Sequence, residues 1–220
     1  MTNMKLTKRL QTICDFVDFG SDVIDVGCDH GLVGIYLATE KNCKVVCSDI
    51  NENALANAKK NIQENHLTDK IKTVITDGLD QMDTLDKTIL ICGMGTNTMM
   101  HIIDHIPCYD MKEFILQANT DWELLREYMV SQGFYISDEK YLCERGKHYV
   151  FLKLKPGNLP YEKEDFLIGP VLKNKDRAYL EYLYQKRREL LKQIPYKHIK
   201  IRKKLKQEKR MIKKHLKNVD

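Results

Sequence analysis

Seven consecutive residues, Asp25-Val26-Gly27-Cys28-Asp29-His30-Gly31, bring together two glycines, two carboxylates and an imidazole. Glycine lets the backbone approach a ligand closely, and a helix that starts after such a turn offers free N–H donors. A dinucleotide-binding turn would carry further glycines at positions 29 and 32, where this chain has Asp29 and Leu32. An aspartate there also repels a pyrophosphate. The acids at 25 and 29 suit a ligand that carries positive charge.

Two more acids follow in order. Cys47-Ser48-Asp49 sets a carboxylate 22 positions after Gly27, where it can accept hydrogen bonds from both hydroxyls of a ribose. Thr76-Asp77-Gly78-Leu79 offers an acid that can receive an adenine amino group. Each has a plainer reading: Asp25 as a turn or helix cap, Asp49 as the cap of the next helix, Asp77-Gly78 as an ordinary turn. Taken jointly, at successive strand ends, they point to S-adenosylmethionine, whose α-amino group and sulfonium are cationic. The expected cofactor-binding residues are Asp25, Gly27, Asp29, His30, Asp49, Ile50, Asp77, Gly78 and Gly93.

The elements that must position these residues alternate. Strand-like runs at 22–26, 44–48, 72–76, 88–92 and 114–117 are separated by helical stretches at 32–40, 52–65, 96–106 and 121–132. That alternation predicts a parallel sheet with helices on both faces. Before it, Leu6, Leu10, Ile13, Cys14 and Val17 mark an amphipathic helix. After Gly133, runs at 134–143 and 148–155 flank the turn-prone Glu144-Arg145-Gly146-Lys147 and predict an antiparallel hairpin closing the sheet. Pro156, Gly157 and Pro160 read as a linker. Beyond it, a seven-residue spacing through Leu172, Asp176, Tyr179, Leu183, Lys186, Leu190 and Gln193 breaks at Pro195. It resumes through Ile201, Leu205, Glu208, Ile212, His215 and Val219, which predicts an antiparallel helical hairpin. The expected division is 1–160, with the cofactor site and the N-terminal helix, and 161–220, the helical hairpin.

Charge supports that division. Residues 171–220 hold 18 Lys and Arg against 5 Asp and Glu, whereas residues 1–170 hold 18 against 26. A basic block of this size reads as a solvated helix surface or as a phosphate-binding surface, and the scarcity of compensating acids favours the second. The seven cysteines (14, 28, 43, 47, 92, 108 and 143) show no CxxC spacing and read as free thiols. Neither a signal-peptide pattern nor an apolar run of roughly 20 residues is visible. A cytoplasmic protein without membrane attachment is expected. The histidines are scattered apart from His101 and His105, which enclose Ile102, Ile103 and Asp104 and read as a helix face, so no metal is expected.

With these residues placed, the chain resembles the bacterial tRNA adenine N1-methyltransferases that modify adenosine 22, the TrmK family. The resemblance covers nearly the whole chain. It rests on Leu6-Thr7-Lys8-Arg9-Leu10, Asp25 to His30, Asp77-Gly78-Leu79, Gly93-Met94-Gly95, Leu116-Gln117-Ala118-Asn119, Leu125-Arg126-Glu127 and Gly146-Lys147-His148-Tyr149. Two positions depart from the pattern: Thr96, where a second glycine is expected, and Ala118, where proline is frequent. The resemblance implies an α/β Rossmann-like class I methyltransferase fold. Its mostly parallel seven-stranded sheet would end in an antiparallel hairpin, followed by a C-terminal α-helical coiled-coil hairpin.

The implied reaction is methyl transfer from S-adenosylmethionine to N1 of adenosine in tRNA. N1 carries an in-plane lone pair, so no general base is required, and catalysis reduces to alignment and exclusion of water. His30, Met94 and Asn119 are the candidates for positioning the base. Their plainer roles are a helix-start hydrogen bond, core packing and a turn. Lys5, Lys8 and Arg9 are assigned to tRNA phosphates, with a plain surface role as the alternative. Lys203, Lys204, Lys206, Lys209, Arg210, Lys213 and Lys214 are assigned to sequence-tolerant RNA contact. A monomer is expected. Two rivals remain: a methyltransferase acting on a protein or small molecule, and an RNA-binding protein with a vestigial cofactor fold.

Overall fold

The computed structural model describes residues 5–106 and 110–219. Five parallel strands form the body of one sheet: β1 (Asp22–Val26), β2 (Lys44–Asp49), β3 (Ile71–Ile75), β4 (Thr88–Met94) and β5 (Glu113–Ala118). The expected hairpin, β6 (Phe134–Glu144) and β7 (Lys147–Pro156), completes it in the order β3-β2-β1-β4-β5-β7-β6. β7 pairs antiparallel with both β5 and β6. Chain winding reverses between β1 and β4, and in such sheets ligands bind outside the carboxyl ends of the strands at that reversal.

Side chains alternate across the sheet and build a hydrophobic layer on each face. Val23, Val45, Leu90, Ile115 and Phe151 point toward α1 (Lys8–Phe16), α2 (Leu32–Glu40) and α3 (Glu52–Glu64). Ile24, Ile89, Phe114, Leu116 and Leu152 point toward α4 (Thr96–Asp104) and α5 (Trp122–Ser131). The helix starts are fixed by side chains. Thr7 accepts from the Leu10 N–H ahead of α1, and Asn51 accepts from the Asn53 and Ala54 N–H groups ahead of α3. Asp49 is therefore not the cap of α3.

The C-terminal region departs from the expected heptad. A short helix, α6 (Lys163–Ile168), and a 3₁₀ turn at Leu172–Asn174 precede α7 (Arg177–Gln193) and α8 (Ile199–Leu216). Leu172 lies in that turn and Asp176 caps α7 by accepting from the Tyr179 N–H, so neither belongs to a helical seam. The buried face of α7 is Tyr179, Leu180, Leu183 and Arg187, whereas Lys186 and Gln193 are exposed. The reason is that α7 packs against the sheet domain as well as against α8. On α8 the expected Leu205, Glu208, Ile212 and His215 are buried, as is Val219 beyond its end, and Ile201 is exposed.

One hydrophobic cluster consequently runs from Ile24 and Phe114 in the sheet through Trp122 and Leu125 to Tyr179, Leu183, Ile212 and Val219. A buried ionic cluster stitches the same seam. Arg126 Nε donates to Glu139 Oε1 at 2.7 Å with both side chains fully buried, and Arg126 Nη2 donates to the Tyr179 hydroxyl at 3.3 Å. Glu139 Oε2 accepts from the Val171 N–H at 3.0 Å. Gly169, at φ +98°, leaves the space this pair occupies, since a Cβ there would sit 2.6 Å from Glu139 Oε2 and 2.8 Å from Arg126 Nη2. Arg187 of α7 bridges Glu123 on α5 and Glu208 on α8.

No helix among the described residues is long and apolar enough to cross a membrane. Cys14, Cys28, Cys43, Cys47, Cys92 and Cys143 are free thiols, and Cys108 lies outside the described residues.

Candidate functional site

The turn after β1 is held by its neighbours. The N–H groups of Gly27 and Cys28 donate to the Ser48 carbonyl at 2.8 and 3.0 Å, which ties the turn to β2. Asp49 at the end of β2 accepts from the Asp29 N–H at 3.3 Å and, through its other oxygen, from the Asn51 N–H at 2.9 Å. Asn61 of α3 donates to the His30 carbonyl at 2.9 Å. Backbone donors thus fix the Asp49 carboxylate beside Asp29, with lone pairs left for a ligand hydroxyl.

Asp25 lies beneath this turn and is only 6 % exposed. Burial, and then the charge of Asp49, push its carboxyl up to about 7. Among the described residues neither Asp25 nor Asp49 has a basic partner within ion-pair distance. Two acids close together without a cation create a site that favours a positively charged ligand.

At the end of β4 the chain bulges between Cys92 and Met94, with Gly93 at φ +81°. The Met94 methyl fills the position that a Cβ on Gly27 would occupy, so the wall of one loop depends on the bareness of the other. Asn119 is held by two hydrogen bonds, donating to the Gly93 carbonyl at 2.7 Å and accepting from Gln117 Nε2 at 3.3 Å. Gln117 in turn accepts from Arg9 Nη1 at 2.9 Å. The Arg9 guanidinium also lies 5.9 Å from the centroid of the Tyr149 ring. Arg9, assigned to phosphate from the sequence, is thus half-buried with its guanidinium turned toward the rim of the pocket. Neither Gln117 nor Tyr149 is given a role by the sequence alone. The signal for Gln117 was a lone amide directly after the apolar run Phe114-Ile115-Leu116 of β5.

The remaining sequence-nominated residues divide into two groups. Ile50, 67 % exposed, lies beside Asp49, and His30 is exposed with Nε2 3.6 Å from Asp29 Oδ1. Asp77 is exposed and its carbonyl accepts from the Asp80 N–H, so a turn is present there with its carboxylate in solvent. Gly78 packs against Ile102 of α4. Lys5 and Lys8 are exposed at the start of α1. Lys203, Lys204, Lys206, Arg210, Lys213 and Lys214 are exposed on α8, while Lys209 is half-buried with its Nζ 5.8 Å from the Tyr184 ring. Both departures from the resembled pattern have local partners. Thr96 donates to the Thr120 carbonyl at 2.5 Å, and the Ala118 carbonyl accepts from Trp122 Nε1 at 2.9 Å.

A model of the methyltransferase domain matches residues 6–152, more than half of the chain. The chain belongs to the methyltransferase-domain family. It is 28% identical over 192 residues to the tRNA (adenine(22)-N(1))-methyltransferase of Bacillus subtilis, covering 82% of this chain and 81% of that protein. Among solved structures it is similar to a candidate tRNA (m1A22) methyltransferase of Streptococcus pneumoniae, with 27% identity and a TM-score of 0.87, covering 96% of this chain and 100% of that one. The same protein in complex with S-adenosyl-L-methionine gives 26% identity and a TM-score of 0.81 over 96% of this chain and 100% of that one. In this methyltransferase the acidic turn and the Gly93–Asn119 rim are adjacent through the Gly27–Met94 contact. A methyl donor and an acceptor held on either side of it would meet there.

Proposed function

We propose that this methyltransferase binds S-adenosylmethionine at the Asp25–Gly31 turn and methylates N1 of an adenosine in tRNA, at position 22. The observation that carries the substrate is the length of the likeness. The match to the Bacillus subtilis enzyme spans 82% of this chain, more than the domain at 6–152, and so includes part of the basic C-terminal region. The Ribosomal protein L11 methyltransferase of Acetivibrio thermocellus is 30% identical, but over only 51% of this chain and 36% of that protein. That supports the RNA reading over the protein-substrate rival.

The residues fit the cofactor. Gly27 leaves the backbone bare where a ligand approaches, Asp49 offers acceptors for ribose hydroxyls, and exposed Ile50 offers an apolar surface for adenine. Asp29 and Asp49 supply negative potential for a sulfonium and an α-amino group, and the raised carboxyl of Asp25 ionises more readily once such a cation lies beside it. Roles for Gly93, Asp77, Gly78 and His30 in the same site belong to this proposal. When bound, S-adenosylmethionine supplies the methyl group that N1 takes with its lone pair as the carbon–sulfur bond breaks, leaving S-adenosylhomocysteine. The chain's own residues orient and shield. Met94 walls the base, Asn119 hydrogen-bonds its edge, and Arg9 through Gln117 keeps Asn119 in place. No group has to remove a proton before attack, because N1 is not protonated at neutral pH.

The proposal includes Lys5, Lys8 and the exposed α8 cations as tRNA phosphate contacts, division at residue 160, a coiled-coil arrangement of α7 and α8, a cytoplasmic monomer and no metal. Among the described residues no cluster of ligating side chains could hold a metal ion. The test is incubation with methyl-labelled S-adenosylmethionine and unmodified tRNA, followed by nucleoside mapping. Label in N1-methyladenosine at position 22 is expected; label in protein or in another nucleoside overturns the reading.

A further inference from the structure

A cleft of about 860 Å³ begins at Asn119 and Tyr149, which also bound the pocket described above, and runs between the start of α5, the β6–β7 turn and the inner face of α7. Its aromatic surface is layered. The His148 ring stacks on Tyr182 with centroids 3.8 Å apart and planes 21° apart, and Tyr141 backs both at 5.9 and 6.0 Å. Lys186 Nζ hangs 5.8 Å from the Trp122 ring and 5.9 Å from the Tyr182 ring. His148 Nδ1 lies 2.6 Å from the Tyr141 hydroxyl, which fixes the plane of the imidazole. Burial and the charge of Lys186 hold that imidazole below its ordinary pKa, so at neutral pH it is an uncharged flat ring.

The charges around the rings point the same way. Arg187 is already neutralised by Glu123 and Glu208, but Lys147 and Lys186 are exposed, and among the described residues neither has a carboxylate within ion-pair distance. Asp121 and Glu127 on the α5 wall are acceptors for exocyclic amino groups. Half-exposed stacked rings beside unpaired lysines form a platform of the kind that single-stranded nucleic acid uses. The reaction itself creates a need for one. N1 of adenine is reachable only when the base is unpaired or turned out of its stack, which strips a stacking partner from its neighbour.

We infer that this cleft binds one nucleotide flanking the methylated adenosine, its base laid on the His148–Tyr182 stack and its phosphate between Lys147 and Lys186. The inference rests on the tRNA reading above and names a part of the substrate that the target pocket does not touch.

The test pairs changes in the RNA with changes in the protein. Unmodified tRNA is prepared intact, or abasic at the nucleotide 5′ or 3′ of the target adenosine. Each RNA is assayed with the wild-type chain and with Tyr182→Ala, His148→Ala and Lys186→Ala, and S-adenosylmethionine affinity is measured on every protein. Losing one base stack should lower wild-type kcat/KM about 10-fold for one of the two abasic RNAs. Tyr182→Ala should lose a similar factor on intact tRNA and no more on that abasic RNA. If Tyr182→Ala weakens cofactor binding, His148→Ala, the other ring of the stack, carries the comparison, with its loss likewise not multiplying with the abasic loss. Lys186→Ala should lose the same factor on intact and abasic RNA, because an abasic nucleotide keeps its phosphate. Multiplying losses for the ring variants, a Lys186→Ala loss that vanishes on the abasic RNA, or a wild-type chain indifferent to both abasic RNAs overturn this inference alone. A wild-type chain that methylates no tRNA overturns the tRNA reading and the inference together.

Discussion

At the residue scale the site depends on groups whose surroundings oppose their usual state. Asp25 is the clearest case. Burial raises its carboxyl to about 7, so between the ordinary carboxylate range and pH 7 the folded chain holds a proton there that the unfolded chain releases. Stability contributed by that proton is full below about pH 4 and is lost as pH rises through 7. Asp25→Asn keeps the shape and removes the titration. It should flatten the fall in stability between pH 5 and pH 8 and raise stability at pH 8 by on the order of a few kcal/mol. Urea unfolding at both pH values checks this; an unchanged pH dependence would count against it. Gly27 poses a steric constraint. With φ +72° and the Met94 methyl in the Cβ position, Gly27→Ala must shift either the turn or the base wall. Calorimetric titration with S-adenosylmethionine should show affinity reduced by about 10-fold or more, roughly 1.4 kcal/mol.

At the element scale the ionic seam between α5, β6 and α7 governs folding rather than chemistry. Arg126→Met leaves Glu139 buried without its cation and should cost about 3–5 kcal/mol in a denaturant titration. A loss below about 1 kcal/mol would show that water reaches Glu139. This seam and the short α6 were not readable from the chain, whereas the strands and the other helices were. The strands were visible as short apolar runs, β-branched in β1 to β4, and the helices between them as apolar periodicity, because local sequence sets both. Asp49 was visible as an acid at a strand end, but its Asn51 neighbour was the cap, and only the backbone geometry distinguishes them. Arg9 read as a phosphate ligand because its neighbours are Lys5 and Lys8. Its inward turn depends on Gln117, 108 positions away. The heptad through Lys186 failed for a similar reason: α7 answers to two partners, and a repeat of seven describes only one.

At the scale of the whole molecule, acidic and basic residues are segregated while the core is shared. Truncation after Pro170 removes Tyr179, Leu183, Ile212 and Val219 from the cluster that begins in the sheet. The expected product is an aggregating fragment without a cooperative melting transition, checked by calorimetry. Charge can be removed without that damage. Replacing exposed Lys203, Lys206 and Lys213 with Gln should leave Tm within a few degrees. It should also reduce the slope of log affinity for tRNA against log salt by roughly 0.7–0.9 for each phosphate that is no longer neutralised. Equal slopes would remove α8 from the RNA interface.

The Arg187 bridge from Glu123 to Glu208 has a practical corollary for protein engineering. The basic hairpin is not a portable cassette. Spliced onto another methyltransferase after its last strand, it would present a buried arginine and a wet apolar stripe to a host with neither acid nor matching hollow. A working chimera would have to import Glu123, Arg126 and Glu139 into the host's own helix and strand, so that recognition and catalysis move between scaffolds as one block.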